Sequence, residues 1–249
     1  MAQASNQLFI ITGPSCVGKT PLVRSLRRFY PDCMNSMAPV MLYNSRRPRP
    51  GEEDGVDYYF RDESRIRELC GNDQYIVRKV RNDWQALDVE ELKQLLKNQG
   101  VLYEGNPDFA SILMTNPALS NVPRNGMFIS PLCREEIIYL KQQPDIDLKT
   151  FLSDLMYGKQ RRRFQRQKGS PGPVDLRDMK TRAQCAYPEL KSACVFNCVV
   201  ANHDGEDSEH WDVCGYPIGE ARKTMRAAHE WLQGKYPPGA EHFETGLLP

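Results

Sequence analysis

The stretch Leu8–Phe29 reads LFIITGPSCVGKTPLVRSLRRF. Its first five residues, Leu8–Thr12, form an apolar run with strand length and β-forming composition. Gly13–Thr20, GPSCVGKT, then fits the spacing G-x-x-x-x-G-K-[ST]. The residues LVRSLRRF continue with helical periodicity and stop before Pro31. Pro21 falls in the first helical turn, where its missing N–H costs little. Strand, glycine turn and helix together make the opening unit of an α/β domain. The turn has a specific chemistry. Its glycines let backbone N–H groups point inward at phosphate oxygens, and the helix starting near Gly18 adds the positive end of its dipole. Lys19 reaches the β- and γ-phosphates, and Thr20 offers a hydroxyl to Mg²⁺. Gly13, Pro14, Ser15, Cys16, Val17, Gly18, Lys19 and Thr20 are therefore the expected ATP-binding loop.

Composition narrows the setting. The chain has 249 residues, 40% hydrophobic and 26% charged, which suits one large globular domain carrying inserted lobes. A formal net charge of +1 gives no global electrostatic case for nucleic acid or an anionic membrane, and neither is expected as a partner. The N-terminal segment has no basic leader, and its apolar run Leu8–Ile11 reads as a buried strand. No apolar stretch approaches the ~20 residues that span a bilayer. A cytoplasmic protein is expected, with its eight cysteines as reduced thiols. Cys194, Cys198, His203, His210 and Cys214 cluster in sequence, but not at the short turn-like spacing of most zinc sites. The segment ACVFNCVVAN reads as a strand, so Cys194 and Cys198 are expected on one face as core thiols. The sequence leaves the oligomeric state open.

Further along, Ser45–Phe60 reads SRRPRPGEEDGVDYYF, with Arg46, Arg47 and Arg49 crowded ahead of two glutamates and an Asp-Gly turn. By itself this is a solvated, charged loop. Helical patterning follows over Glu63–Cys70, strand patterning over Gln74–Arg81, and a helix over Asp88–Asn98 with Asp88 as N-cap. Gly100–Gly105 and Asn125–Pro131 read as strands, with a short helix and loop over Pro107–Asn121. Arg134–Gln142 is a further helix, followed by the basic patch GKQRRRFQRQKGSPGP over Gly158–Pro173, whose Gly/Pro end suggests a mobile segment. Lys180–Cys194 is helical, His203–Asp212 is an acidic loop, and a last helix covers Gly219–Lys235 before a Pro/Gly-bearing tail that is expected to be loose. The alternation predicts an α/β fold: a mostly parallel sheet flanked by helices.

The two quoted stretches taken together resemble the guanylate kinase family, P-loop nucleoside monophosphate kinases with a core, an acceptor-binding lobe and a lid. That family runs close to T-T-R-x-P-R-x-G-E-x-x-G-x-D-Y-x-F where this chain has NSRRPRPGEEDGVDYYF. Weaker likenesses, FISP, KTR and VVAN, follow in the expected order. The resemblance implies one domain, with a core over 1–40, 100–145 and 180–235. The acceptor lobe would span 41–99, the lid 146–179 and a loose tail 236–249. It implies ATP as donor, Mg²⁺ as cofactor and a phosphorylated small molecule as acceptor, GMP by default. Arg46, Arg49 and Tyr58 match the family's acceptor-phosphate residues, and two guanidinium forks with a phenol suit a dianion. Arg47 sits at a variable position and reads as solvent-exposed. Glu52 and Glu104 match acidic positions around the magnesium and the acceptor, with Thr20 and Glu104 as the metal side. A carboxylate ending a strand, as Glu104 does, points into the usual crevice of an open α/β sheet. Lys19, Arg162, Arg166 and Arg182 match the catalytic cations, and Asn202 matches the residue beside the donor adenine.

The resemblance breaks where the base should be read. Leu42 and Val77 stand where the family has a serine and a glutamate, Asn106 stands at an acidic position, and the Y-G-[ST] segment is replaced by NDWQALD. Trp84 offers either a stacking face or a core side chain. Cys16 replaces a glycine in the phosphate loop, where a helix N-terminus can acidify a thiol. The acceptor is thus expected to carry a phosphate, with GMP, another nucleotide or a sugar phosphate as alternatives. A non-catalytic binding module of the same family is the further alternative, disfavoured by the intact Lys19 and Thr20.

Overall fold

The chain is described by a computed structural model over residues 6–49 and 51–249. The first five residues of the expected core range, and Pro50 in the arginine-rich loop, lie outside the described residues. The phosphate-loop unit forms as predicted: β1 (Leu8–Thr12) enters the turn and α1 (Lys19–Phe29) leaves it. Every residue of β1 is buried, as a strand covered on both faces requires. Leu22, Val23 and Leu26 of α1 are buried too, each contributing about 1.5–3 kcal/mol of apolar burial. Two short elements follow, α2 (Pro31–Asn35) and β2 (Met37–Pro39).

The next elements build a separate sheet: β3 (Tyr43–Asn44), β4 (Tyr59–Phe60), α3 (Glu63–Arg67), β5 (Tyr75–Val80) and β6 (Asp83–Asp88). Its strand order is β4-β3-β6-β5, antiparallel at β3/β6 and β5/β6 and parallel at β3/β4. The sequence left Asn82–Asp88 without an assignment, yet Asp83–Asp88 is a full partner of β5. The tight turn at Arg81 takes a left-handed φ of 56°, which the alternation of apolar residues did not reveal. Asp88 then caps α4 (Val89–Asn98), its carboxylate accepting from the N–H groups of Glu90 and Glu91.

The remaining strands complete the main sheet: β7 (Gly100–Gly105), α5 (Pro107–Thr115), β8 (Arg124–Ser130), α6 (Arg134–Lys141), α7 (Leu148–Lys168), α8 (Pro173–Gln184), α9 (Ala186–Lys191), β9 (Cys198–Ala201) and α10 (Gly219–Leu232). The order is β2-β7-β1-β8-β9 with every pairing parallel. Helices α1, α4, α5 and α10 pack against it. The carboxyl ends of β1 and β7 sit side by side near its centre, with Ile11 in register with Glu104. That end is where an open α/β sheet opens its ligand crevice.

Two expectations need correction. The tail after residue 235 is not loose. Glu241 exchanges both backbone hydrogen bonds with Val199 at 2.8 Å, and Phe243, Leu247 and Leu248 are buried. β9 is an edge strand with unpaired backbone groups, and the tail satisfies them while adding apolar surface to the core. The last strand is also shorter than expected. Cys194 lies in a 3₁₀ turn, Ser192–Val195, so it shares no strand face with Cys198. All eight cysteines are free, and no group of three potential metal ligands occurs among the described residues. No helix among those residues is long and apolar enough to cross a membrane.

Candidate functional site

The phosphate loop has the backbone that its glycines predict. Gly13 has φ 149°, and a Cβ there would meet the carbonyl oxygen of Ile129 at 2.2 Å. Gly18 has φ 102°, and its Cβ would meet Asn202 Nδ2 at 2.6 Å. Lys19 is buried, and its ammonium donates to the carbonyls of Gly13 and Pro14 at 2.7 and 2.8 Å. Burial lowers its pKa, against which the nearby Glu206 and Glu104 charges work. The Thr20 hydroxyl donates to Glu104 Oε1 at 3.0 Å. Burial raises the pKa of Glu104, and Lys19 opposes the rise. Cys16 is not acidified: burial, reinforced by Glu206, pushes its thiol up to about 12.

Across the cleft stands the arginine-rich loop. Arg46 forms a two-pronged pair with Glu52 at 2.6 and 2.7 Å, and Glu52 also accepts the Arg49 backbone N–H at 2.8 Å. Burial works against the Glu52 charge, but the Arg46 hydrogen bonds hold its pKa below the usual carboxylate range. The Arg46 guanidinium also lies 5.0 Å from the Tyr58 ring centroid and 5.3 Å from that of Phe60. Glu52 therefore orients the clamp and is not among the residues lining the cleft. Arg49 differs from Arg46: its guanidinium has no carboxylate partner among the described residues. Desolvation, then the like charges of Arg46 and Arg182, lower its pKa. Three guanidinium groups thus crowd one wall. Arg47 is exposed, as expected.

Clamp and phosphate loop line one cleft of about 270 Å³. Leu42, Glu104, Asn106 and Arg182 line it as well. Val77 and Trp84 do not. In the β5/β6 register Val77 faces Ala86 and Trp84 faces Lys79, and strand alternation puts these on the face opposite Val80, Asp83 and Gln85. Trp84 instead stacks under Arg67, 5.5 Å from its ring, on the side covered by α3. The cleft-facing polar residues of this sheet are Asn44, Asp83 and Gln85. Sequence inspection missed them because a one-residue shift in register exchanges the two faces.

The α7 side departs further. Arg162 and Arg166 do not line the cleft; Arg163 does. The buried ladder Leu152, Met156, Lys159 and Gln160 on α7 continues to Arg163 at helical spacing, and this was the available signal. The acidic loop 203–212 folds over the same region and engages the basic residues of α7. Arg163 pairs with Glu206, Arg162 donates to Asp207 at 2.9 Å, and Arg166 bonds the Asp207 carbonyl. Lys159 donates to the His203 carbonyl at 2.6 Å. Glu206 lines the cleft, and its backbone N–H donates to the Cys16 carbonyl at 3.2 Å. Asn202 is fully buried, donating to the carbonyls of Val17 and Asp204 and accepting the Asp204 N–H. It braces the phosphate loop, and both Nδ2 hydrogens are taken up by these two carbonyls. Arg182 pairs with Asp178 at 2.8 Å.

One more arginine joins the two sheets. Arg81, at the β5–β6 turn, donates to Glu189 at 2.6 Å and to the Ser15 hydroxyl at 3.1 Å. Asn106 donates to the same Glu189 oxygen at 3.1 Å. Burial disfavours the Arg81 charge, but the Glu189 carboxylate outweighs it and raises its pKa.

Comparison with known proteins agrees with this arrangement. The family model described as guanylate kinase matches residues 5–99, which hold the phosphate loop and the clamp. The guanylate kinase of Methylobacillus flagellatus is 45% identical over 69 residues, 28% of this chain and 32% of that protein. The Thermobifida fusca guanylate kinase is 35% identical over 39% of this chain and 49% of its own length. The Mycoplasma pneumoniae guanylate kinase is 28% identical over 61% of this chain and 62% of its own. The chain matches this family's model over part of its length, residues 5–99. It spans less than two thirds of the length of these family members. The crystal structure of guanylate kinase from Anaplasma phagocytophilum superposes with a TM-score of 0.54 at 16% identity, covering 95% of this chain and 89% of that one. At that identity the likeness carries the fold alone.

Proposed function

We propose that the protein transfers the γ-phosphoryl group of ATP to the phosphate of a nucleoside monophosphate, with GMP as the acceptor. The observation that carries this reading is one cleft in which Lys19 and the phosphate loop face Arg46, Arg49, Tyr58 and Arg182. In such a transfer the protein contributes position and charge neutralisation more than covalent chemistry. Arg46 and Arg49 hold the acceptor phosphate, and Tyr58 adds a hydrogen bond to it. The phosphate loop holds the donor, and Arg163 and Arg182 approach the transferred group from the lid side. Residues 41–99 serve as the acceptor lobe and 146–179 as the lid. Mg²⁺ fits Thr20 and Glu104, a hydroxyl and a carboxylate 3.0 Å apart beside the phosphate loop, both hard oxygen donors. When bound it would supply neutralisation of donor phosphate charge. Eight free cysteines suit a reducing cytoplasmic setting, which forms part of the proposal.

The test is ADP formation from Mg-ATP with a panel of nucleoside monophosphates and sugar phosphates. GMP is expected to be the best acceptor. Failure of every phosphomonoester to release ADP, with GMP still bound, would favour a binding module instead.

A further inference from the structure

The family's usual guanine-reading positions carry Leu42 and Val77 here, and Val77 faces away from the cleft. The cleft-facing surface of the acceptor sheet is nevertheless polar. Asn44 on β3 stands directly opposite Gln85 on β6, and Asp83 precedes Gln85 by two residues on the same face. All three line the cleft, with Leu42 and Val80 as apolar neighbours. Residues directly opposite in an antiparallel pair lie about 5 Å apart, and i,i+2 neighbours about 7 Å, so the three groups span roughly one nucleobase edge.

Their hydrogen-bonding states are distinct. Asn44 is buried, and its Oδ1 already accepts the Arg46 backbone N–H at 3.2 Å. That bond fixes the carboxamide and leaves Nδ2 as a donor toward the cleft. Gln85 Oε1 is buried with no partner. Asp83 makes no side-chain hydrogen bond and no ion pair among the described residues, since Arg81, the nearest basic residue in sequence, is held by Glu189 and Ser15. The surface therefore presents one fixed donor, one carboxylate acceptor and, between them in register, a carboxamide with an unfilled acceptor. A buried acceptor left unfilled is costly, so a ligand that donates there is favoured.

We infer that Asn44, Gln85 and Asp83 form a base-reading set that selects guanine, replacing the family's positions with residues of the neighbouring strands. The edge of guanine offers one acceptor, O6, followed by two donors, N1–H and the 2-amino group. Adenine offers a donor followed by an acceptor, uracil one donor between two acceptors, and hypoxanthine lacks the second donor. Only the guanine pattern supplies an acceptor to Asn44 and donors to both Gln85 and Asp83. This inference rests on the proposed monophosphate site and deepens it by naming what discriminates the base.

The experiment is calorimetric binding of GMP, IMP, XMP and AMP to wild-type protein and to Asp83→Asn, with ADP release from Mg-ATP followed in parallel. Wild-type protein is expected to bind GMP most tightly, and XMP weakly, because the 2-carbonyl of XMP opposes the Asp83 carboxylate. Asp83→Asn leaves N1–H on Gln85 but can turn an amide donor toward that carbonyl. The ratio of GMP to XMP affinity should then fall on the order of 100-fold, as expected when a buried polar match becomes a mismatch. An unchanged ratio, or tighter wild-type binding of AMP than GMP, overturns the inference. Gln85→Leu provides a second reading: it should weaken GMP while leaving ribose 5-phosphate binding unchanged. Equal weakening of both would overturn the inference. If GMP binds in the expected order without ADP release, the transfer reaction falls and the base reader stands. If GMP is phosphorylated and the Asp83→Asn order is unaltered, the base reader falls and the reaction stands.

Discussion

The arginine-rich loop and helix α7 lie on two sides of the cleft and treat their basic residues in opposite ways. On the acceptor wall, Glu52 fixes Arg46 and leaves Arg49 without a counter-charge, so the wall is rigid and electrostatically unsatisfied. On α7, Lys159, Arg162, Arg163 and Arg166 are already engaged by loop 203–212, and only Arg163 of these lines the cleft. Arg49 is open to an anion on one side, whereas an anion approaching Arg163 on the other would have to displace Glu206. The comparison teaches that an arginine count says little about anion affinity; what matters is whether the fold has already neutralised each charge.

Five predictions test that contrast, beginning with the largest effect. Lys19→Ala should reduce transfer on the order of 1000-fold or more, because it removes the cation at the junction of both walls; steady-state ADP release measures it. Arg49→Ala should raise the acceptor KM on the order of 100-fold, since an unpaired guanidinium beside a dianion makes charge-assisted bonds. Arg47→Ala, exposed and outside the cleft, should change KM by less than about threefold; equal losses from the two would erase the distinction within the loop. Glu206→Gln should tighten ATP binding by about three- to tenfold, because it releases Arg163 and removes a negative charge near Lys19. Unchanged ATP affinity, measured by calorimetry, would mean the lid wall is not self-neutralised. The smallest expected effect is at Cys16, whose thiol is pushed up to about 12 and buried. Iodoacetamide at neutral pH should label the exposed Cys70 and Cys214 and leave Cys16 unmodified until the protein unfolds.

How much was legible in the sequence follows from how local each feature is. The phosphate loop, the Arg46–Tyr58 clamp and the Asp88 cap were readable because their partners lie within a few residues. Glu52 was read as part of the acceptor pocket, whereas its six-residue reach to Arg46 makes it the brace of the clamp. Arg162 and Arg166 were expected in the cleft on family likeness, but the buried ladder of α7 sets a phase that brings Arg163 there instead. Val77 and Trp84 went to the wrong face because the turn at Arg81 was not recognised. The tail looked loose because its Pro and Gly residues are equally the mark of a turn, and only an edge strand in need of partners explains its docking.

By itself, the sequence determined a glycine-rich loop between strand and helix, an arginine-rich loop downstream and a parallel α/β core. Contiguous residues suffice for these, since backbone geometry and side-chain chemistry are specified within single segments. Tertiary structure alone decided which face of the β5–β6 hairpin looks into the cleft, which α7 arginine reaches it, and that residues 203–212 lie across the lid helix. Those depend on strand register, helix phase and pairings some forty residues apart, where a shift of one residue reverses the outcome while leaving composition unchanged.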